Sequence, residues 1–106
     1  ALLGVGPDGH VCSLFAGHSL LEERERWVAA ITDSPKPPPV RLTLTLPALF
    51  AARTIVVVAL GASKAEMIAS ALEPSSELPV AIVMRGAKDA RLLLDPPAAR
   101  RPPATG

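Results

Sequence analysis

Apolar positions along this chain come in short blocks set apart by glycine, proline and small polar residues, and their period changes from block to block. Leu2, Leu3 and Val5 run into Gly4, Gly6 and Gly9, which predicts a strand that delivers a tight glycine loop at its carboxyl end. Val11 to Ala16 has room for one or two helical turns before Gly17 stops them. Leu20 to Arg26 reads as a charged, helix-capable link, with Glu22 and Arg26 four residues apart and the charge run forming a solvated face. Trp27 to Ile31 is a short apolar strand, ended by Thr32-Asp33-Ser34 and a proline cluster. Arg41 to Thr45 alternates Leu42 and Leu44 with Thr43 and Thr45, the period of two expected of a strand with one wetter face. Pro47 then suits the first turn of a short helix through Arg53, where its missing N–H costs nothing.

The clearest strand is Thr54 to Leu60, β-branched and apolar on both faces, as in a central parallel strand covered by helices. Ser63 and Glu66 have the spacing of a capping box, in which each side chain satisfies a free backbone donor. They precede a helix that places Ala65, Ile68, Ala69 and Leu72 on one face and ends before Pro74. Leu78 to Met84 fits either a short helix or a short strand. Arg91 to Leu94 reads as a last strand, and Pro96 to Gly106 as a helical turn followed by a loose tail. No internal repeat is visible.

Composition narrows this picture. A chain of 106 residues and 11.0 kDa allows one small domain with a thin core, since such a size buries only about 60 to 65% of its unfolded surface. Its hydrophobic share of 49% is ordinary, whereas 12 prolines are many; they interrupt elements and form no repeat. A formal charge of +1 supplies no general field for nucleic acid or an anionic membrane, so any phosphate recognition has to be local. Cys12 is the single cysteine, which excludes an internal disulfide framework and fits a reducing compartment. No apolar run approaches the roughly 18 residues of a membrane span, and no secretory segment opens the chain. A cytoplasmic location is expected. Ala1-Leu2-Leu3 reads as the end of a strand with no element before it, so further sequence is expected upstream.

Gly4 to Gly9 satisfies the G-x-G-x-x-G pattern of dinucleotide-binding loops, but the following segment reaches only Gly17, too short for the crossover helix that fold needs. More informative are Asp8 and His10, which flank Gly9 and set a carboxylate and an imidazole beside glycine N–H groups. An imidazole, whose ordinary pKa is about 6.5, is matched to taking a proton from water, and backbone donors suit the oxyanion of an attacked carbonyl. Holding the turn is the other role open to the same pair. Asp8, His10, Cys12 and His18 are zinc-binding residue types, yet their spacing matches no common zinc pattern. Neither a metal nor a cofactor is expected. A Cys12 thiol beside Val11 and Leu14 reads as packed. Lys36 and Arg41 stand five residues apart across a stiff proline linker, an arrangement that suits a phosphate dianion or a solvated surface turn.

The run Leu3-Gly4-Val5-Gly6-Pro7-Asp8-Gly9-His10-Val11-Cys12-Ser13-Leu14-Phe15 resembles the 6-phosphogluconolactonase signature G-x-G-x-D-G-H-T-A-S-L-F-P-G. Asp33 to Pro38 with Arg41 to Pro47 is similar to that family's S-P-K-P-P-x-R-[IV]-T-L-T-L-P. Leu78-Pro79-Val80 and Leu92-Leu93-Leu94-Asp95 resemble its closing elements. The resemblance implies an α/β fold, a portion of a doubly wound, mostly parallel sheet with flanking helices, related to amino-sugar-phosphate isomerases. Residues 1–99 would form a partial domain and 100–106 a loose tail, with the family's amino-terminal half absent. It implies metal-free hydrolysis of 6-phosphoglucono-1,5-lactone in the oxidative pentose phosphate pathway, with a small sugar-phosphate lactone as the partner and no nucleic acid or membrane. Carried over by position, His10 is the base and Asp8 its acidic partner, while Gly6, Gly9, Lys36 and Arg41 bind substrate. Val11-Cys12 in place of Thr-Ala, Ala16 in place of proline and the missing tryptophan near Arg91 are departures from the pattern. The alternatives are an amino-sugar-phosphate isomerase or deaminase, whose asparagine and glutamate are replaced here by Ser13-Leu14-Phe15, and a non-catalytic sugar-phosphate-binding remnant.

Overall fold

A computed structural model of the chain describes residues 1–100. In chain order the elements are β1 (Leu2–Gly4), β2 (Val28–Ile31), β3 (Arg41–Leu44), α1 (Leu46–Ala51), β4 (Ile55–Ala59), α2 (Ala65–Ala71), α3 (Pro79–Gly86), β5 (Ala90–Leu94) and α4 (Pro96–Ala99). Short 3-10 turns cover Ser19–Glu22 and Ala62–Lys64. The tail expected over 100–106 falls outside the described residues from 101 onward.

Three strands form a parallel sheet in the order β1-β4-β5, so the chain is an α/β protein with its clearest strand at the centre. Leu3 pairs with Val57 on one side, and Val57 with Leu92 on the other. Ile55, Val57 and Ala59 are fully buried, whereas Val56 and Val58 on the opposite face are only half covered. The buried face packs on Leu46 and Leu49 of α1, Met67, Ile68 and Ala71 of α2, and Val80, Ala81 and Val83 of α3. Val11 and Leu14 complete this core from the loop after β1. Parallel pairing brings the carboxyl ends of all three strands to one edge, where ligands bind in open α/β sheets.

β2 and β3 form a separate antiparallel pair, with Val28 opposite Leu44 and Ile31 opposite Arg41. Ala29, Ile31 and Thr43 point inward, while Val28, Ala30, Leu42 and Leu44 lie exposed on the outer face. The proline linker joins the two strands and doubles back on itself, the Ser34 N–H donating to the Pro39 carbonyl at 3.0 Å.

Several local expectations give way to tertiary context. Val11 to Ala16 is not helical: Leu14 N–H donates to the Val11 carbonyl at 2.9 Å, closing a tight turn with Cys12 at φ +51°. Propensity over six residues is a weak force, and the Ser13 N–H instead bonds Thr43 Oγ1 at 3.0 Å. Glu22 and Arg26 do not pair four apart, because the link is a single 3-10 turn; Arg24 meets Glu22 at 3.6 Å and Arg26 meets Glu23 at 3.8 Å. The capping box of Ser63 and Glu66 is not formed. α2 starts from a 3-10 turn after Gly61, whose N–H is held by Asp95 Oδ1 and Oδ2 at 3.0 and 3.1 Å. On that helix Met67, Ile68 and Ala71 face the core and Leu72 is exposed, a rotation of the expected face. Leu78 to Met84, open to either reading, is helix α3, with Pro79 in its first turn.

Candidate functional site

The loop from Val5 to His10 leaves β1 at the carboxyl edge and closes on itself. Gly6 N–H donates to the His10 carbonyl, and Gly9 N–H to the Gly6 carbonyl, each at 2.9 Å. Two further groups fasten it from outside: Val80 N–H, at the start of α3, donates to the Gly9 carbonyl at 3.0 Å, and the Lys64 ammonium donates to the Val5 carbonyl. The loop also requires its glycines. Gly9 sits at φ +83°, a region that favours glycine, and a Cβ on Gly6 would lie 2.1 Å from His10 Cε1.

That absence of a side chain at Gly6 makes room for the Asp8–His10 pair. His10 Nδ1 and Asp8 Oδ1 are 2.5 Å apart, and the His10 backbone N–H also donates to the same carboxylate oxygen at 3.4 Å. Partial burial pushes the Asp8 carboxyl up, but the bonds from the His10 ring and backbone and the charge of the imidazole outweigh it, so its pKa falls below the ordinary carboxylate value. Asp8 is therefore ionised near neutrality and fixes a proton on His10 Nδ1, which leaves Nε2 as the acceptor of a neutral ring. One flank of the imidazole packs on Phe15, with ring centroids 4.8 Å apart, while the His10 side chain keeps about a fifth of its surface open.

Phe15 in turn lies under Arg41, whose Cζ is 5.6 Å from the ring centroid. The guanidinium spends Nε and Nη2 on the carbonyls of Pro38, Pro37 and Lys36 at 3.0, 2.7 and 3.1 Å, stiffening the proline arm. Lys36 is held through its backbone, between Ser34 Oγ and Arg41. Among the described residues no carboxylate lies within ion-pair distance of Lys36, Arg41 or Lys64, so these cations are not neutralised locally.

Of the residues singled out from the sequence, Asp8, His10, Gly6 and Gly9 share one loop, and Arg41 joins them through Phe15. Lys36 stays on the arm, its backbone tied to Arg41 and Ser34. One correction concerns the glycines: the N–H groups of Gly6 and Gly9 are spent inside the loop, so neither is free to face an oxyanion. Burial pushes the Cys12 thiol up, which disfavours the thiolate a nucleophile needs. His18 does not join Asp8 and His10 but bonds Asp33, and no group of three or more metal-binding side chains converges among the described residues. No helix among them is long and apolar enough to cross a membrane. A cavity of about 410 Å³ between α2 and α4 contains no member of the loop; its walls are mainly Ala65, Ile68, Ala69, Leu72 and Leu94.

Lys64, which fastens the loop through the Val5 carbonyl, was not among the residues singled out from the sequence. Its signal was a second glycine turn, Gly61 to Lys64, placed after the central strand as the first turn is placed after β1.

Together these features define an α/β protein that presents a histidine–aspartate pair at the carboxyl edge of a parallel sheet, with Arg41 joined to it through Phe15. A family model described as glucosamine-6-phosphate isomerases/6-phosphogluconolactonase matches residues 1–93. The 6-phosphogluconolactonase of Bos taurus is 56% identical over 101 residues, covering 93% of this chain and 39% of that protein. The Homo sapiens 6-phosphogluconolactonase is 55% identical over the same share. Among solved structures, 6-phosphogluconolactonase from Leishmania guyanensis superposes with a TM-score of 0.76 at 35% identity, over 93% of this chain and 39% of its own. The chain belongs to the glucosamine-6-phosphate isomerase/6-phosphogluconolactonase family. It spans about two fifths of the length of these curated relatives.

Proposed function

We propose that the protein containing this chain hydrolyses 6-phosphoglucono-1,5-lactone to 6-phosphogluconate, in the oxidative pentose phosphate pathway of the cytoplasm, with His10 as the base. The observation that carries this reading is the Asp8–His10 contact of 2.5 Å on a loop shaped by Gly6 and Gly9. It is supported by the 55–56% identity to mammalian proteins of that name. Residues 1–99 act as one partial α/β domain.

In this mechanism the substrate's phosphate is held by Arg41 and Lys36, with Lys64 as a third cation on the same side of the sheet. A water beside C1 gives a proton to His10 Nε2 as its oxygen bonds to the carbonyl carbon. Asp8 keeps Nδ1 protonated and offsets the charge of the imidazolium that forms. The bond from C1 to the ring oxygen then breaks, and His10 returns its proton to that oxygen. The sum is lactone plus water to hydroxy acid, with no metal or cofactor in any step. Gly6 and Gly9 serve the substrate by keeping the loop bare and correctly curved, not by donating to it. No part of this scheme calls on nucleic acid or a membrane.

The test is hydrolysis of the lactone above its spontaneous rate by the protein and by His10→Ala. Loss of a positioned base should lower the enzymatic rate by about 10²- to 10⁴-fold. An unchanged rate would remove His10 from the role. Ammonia release from glucosamine 6-phosphate would instead point to the deaminase branch of the family.

A further inference from the structure

A second histidine–carboxylate pair lies away from the loop of His10. His18 Nε2 is 2.8 Å from Asp33 Oδ1, across a gap of 15 residues in the chain. On the other side of the ring, Nδ1 accepts the Leu20 N–H at 3.0 Å and so caps the 3-10 turn of Ser19–Glu22. The two bonds together require the tautomer with its proton on Nε2, because a nitrogen that accepts an N–H carries no proton of its own. The His18 side chain is only 15% exposed, although Asp33 is open to solvent at 76%.

The placement gives this pair a use. Asp33 lies two residues beyond β2, at the entry to the proline arm, which carries Lys36 and leads into Arg41, the first residue of β3. His18 belongs to the segment that continues from the His10 loop through Phe15. Two other contacts join the same parts at different points: Ser13 N–H to Thr43 Oγ1 at 3.0 Å, and Phe15 beneath Arg41. Those contacts hold the arm at β3, and the Ile31–Arg41 ladder pair closes its base, whereas His18 alone of the three ties the arm beyond that ladder, at Asp33, to the segment that follows the His10 loop. An arm tied beyond its base keeps Lys36 at a set distance from His10; one held only by the β2–β3 ladder pivots about that base.

We infer that His18 is a positioning residue, whose Nε2–H bond to Asp33 fixes the arm that carries Lys36 and leads into Arg41 against the His10 loop. The role rests on the proposed function in so far as those two cations hold the substrate's phosphate. His18 touches no reacting atom, and its effect falls on binding more than on the chemical step.

Two replacements separate the clamp from the cap. His18→Asn keeps an acceptor for the Leu20 N–H but is too short to reach Asp33; His18→Gln reaches Asp33 with an N–H but gives up the cap. Asp33→Ala cuts the clamp from the other side with the ring untouched. Amide hydrogen exchange over residues 31 to 41 reads the arm directly, and titration with inorganic phosphate and with 6-phosphogluconate reads the cations. His18→Asn and Asp33→Ala should both speed exchange in the arm and weaken 6-phosphogluconate binding by about two- to fivefold, the size of an exposed charge-assisted pair. His18→Gln should restore both. Faster arm exchange in His18→Gln than in His18→Asn, equal loosening in the two, or no loosening in Asp33→Ala would each overturn the clamp. Failure of the unsubstituted protein to bind 6-phosphogluconate would overturn the proposed function, and the exchange rates would still decide whether His18 fixes the arm.

Discussion

A methyl group at position 6 would lie 2.1 Å from His10 Cε1, 2.3 Å from Nδ1 and 2.8 Å from Asp8 Oδ1, inside the contact distance of all three. Gly6→Ala should therefore push the imidazole off its carboxylate without removing either group. The folded state should lose about 1–3 kcal/mol, as overpacked sites do, and lactone turnover should drop by at least the tenfold that a misplaced base costs. Thermal melting and initial rates would measure the two effects; a variant that melts normally and keeps full turnover would show that the loop has slack. The pair itself was legible from the sequence, because a carboxylate and an imidazole flanking a glycine have few other ways to face each other. The fate of the glycine N–H groups was not. Which carbonyl an N–H meets depends on how the loop closes, and here the His10 and Gly6 carbonyls take both donors.

Among the elements, the turn from Val11 to Leu14 shows how a side-chain acceptor from a distant strand overrides local preference. Ser13 N–H is buried and its partner is Thr43 Oγ1, which passes its own proton to the Leu44 carbonyl at 2.8 Å. Thr43→Val keeps the shape of the side chain and the strand preference but leaves that N–H without an acceptor. A buried donor left unpaired costs about 1–3 kcal/mol, so the variant should unfold at lower denaturant with an unchanged slope; Thr43→Ser, which keeps the hydroxyl, should recover most of the loss. The same competition explains where periodicity served and where it did not. β4 was clear because Ile55 to Val58 is β-branched throughout; the alternation marked β3 as a strand but not which face turns inward, since Thr43 and Thr45 are buried while Leu42 and Leu44 are exposed, the reverse of a wet threonine face. The helix expected after Val11 gave way to a bond to Thr43, 30 residues away in sequence, and at Ser63 the chain runs through a 3-10 turn anchored at Gly61 by Asp95, so α2 starts only at Ala65 and the box has no helix start to cap.

At the scale of the molecule one apolar core joins the sheet to the loop that carries the site, and carboxylates add to it on the loop side, which the sequence could not show because it depends on how the chain packs. The sheet and its helices rest on apolar burial, with Ile55, Val57, Val80 and Val83 closed to solvent. The segment that carries the site, from the glycine loop to the proline arm, shares that burial through Val11, Leu14, Phe15 and Ile31 and is tied in addition by carboxylates. Asp33 falls below its ordinary pKa through the bond from His18, outweighing a small opposing effect of desolvation. Glu23 falls through the backbone N–H groups of Glu25 and Arg26, with that of Arg24 adding to them. Asp8 falls because the bonds and charge of His10 exceed its burial. A carboxyl whose folded pKa lies below its unfolded one adds stability above the unfolded value, about 4, and loses it as pH drops through the folded value. Acid should therefore loosen the loop half first. Followed by amide signals from pH 6 to pH 2, residues 6–10 and 18–36 should lose protection below about pH 4 while Val57 in β4 stays protected. Asp33→Asn, which carries no charge to lose, should flatten the change in the arm. Loss of protection at Val57 and in the arm at one pH would instead mean that loop and sheet unfold as a single unit, with the carboxylates serving the whole fold.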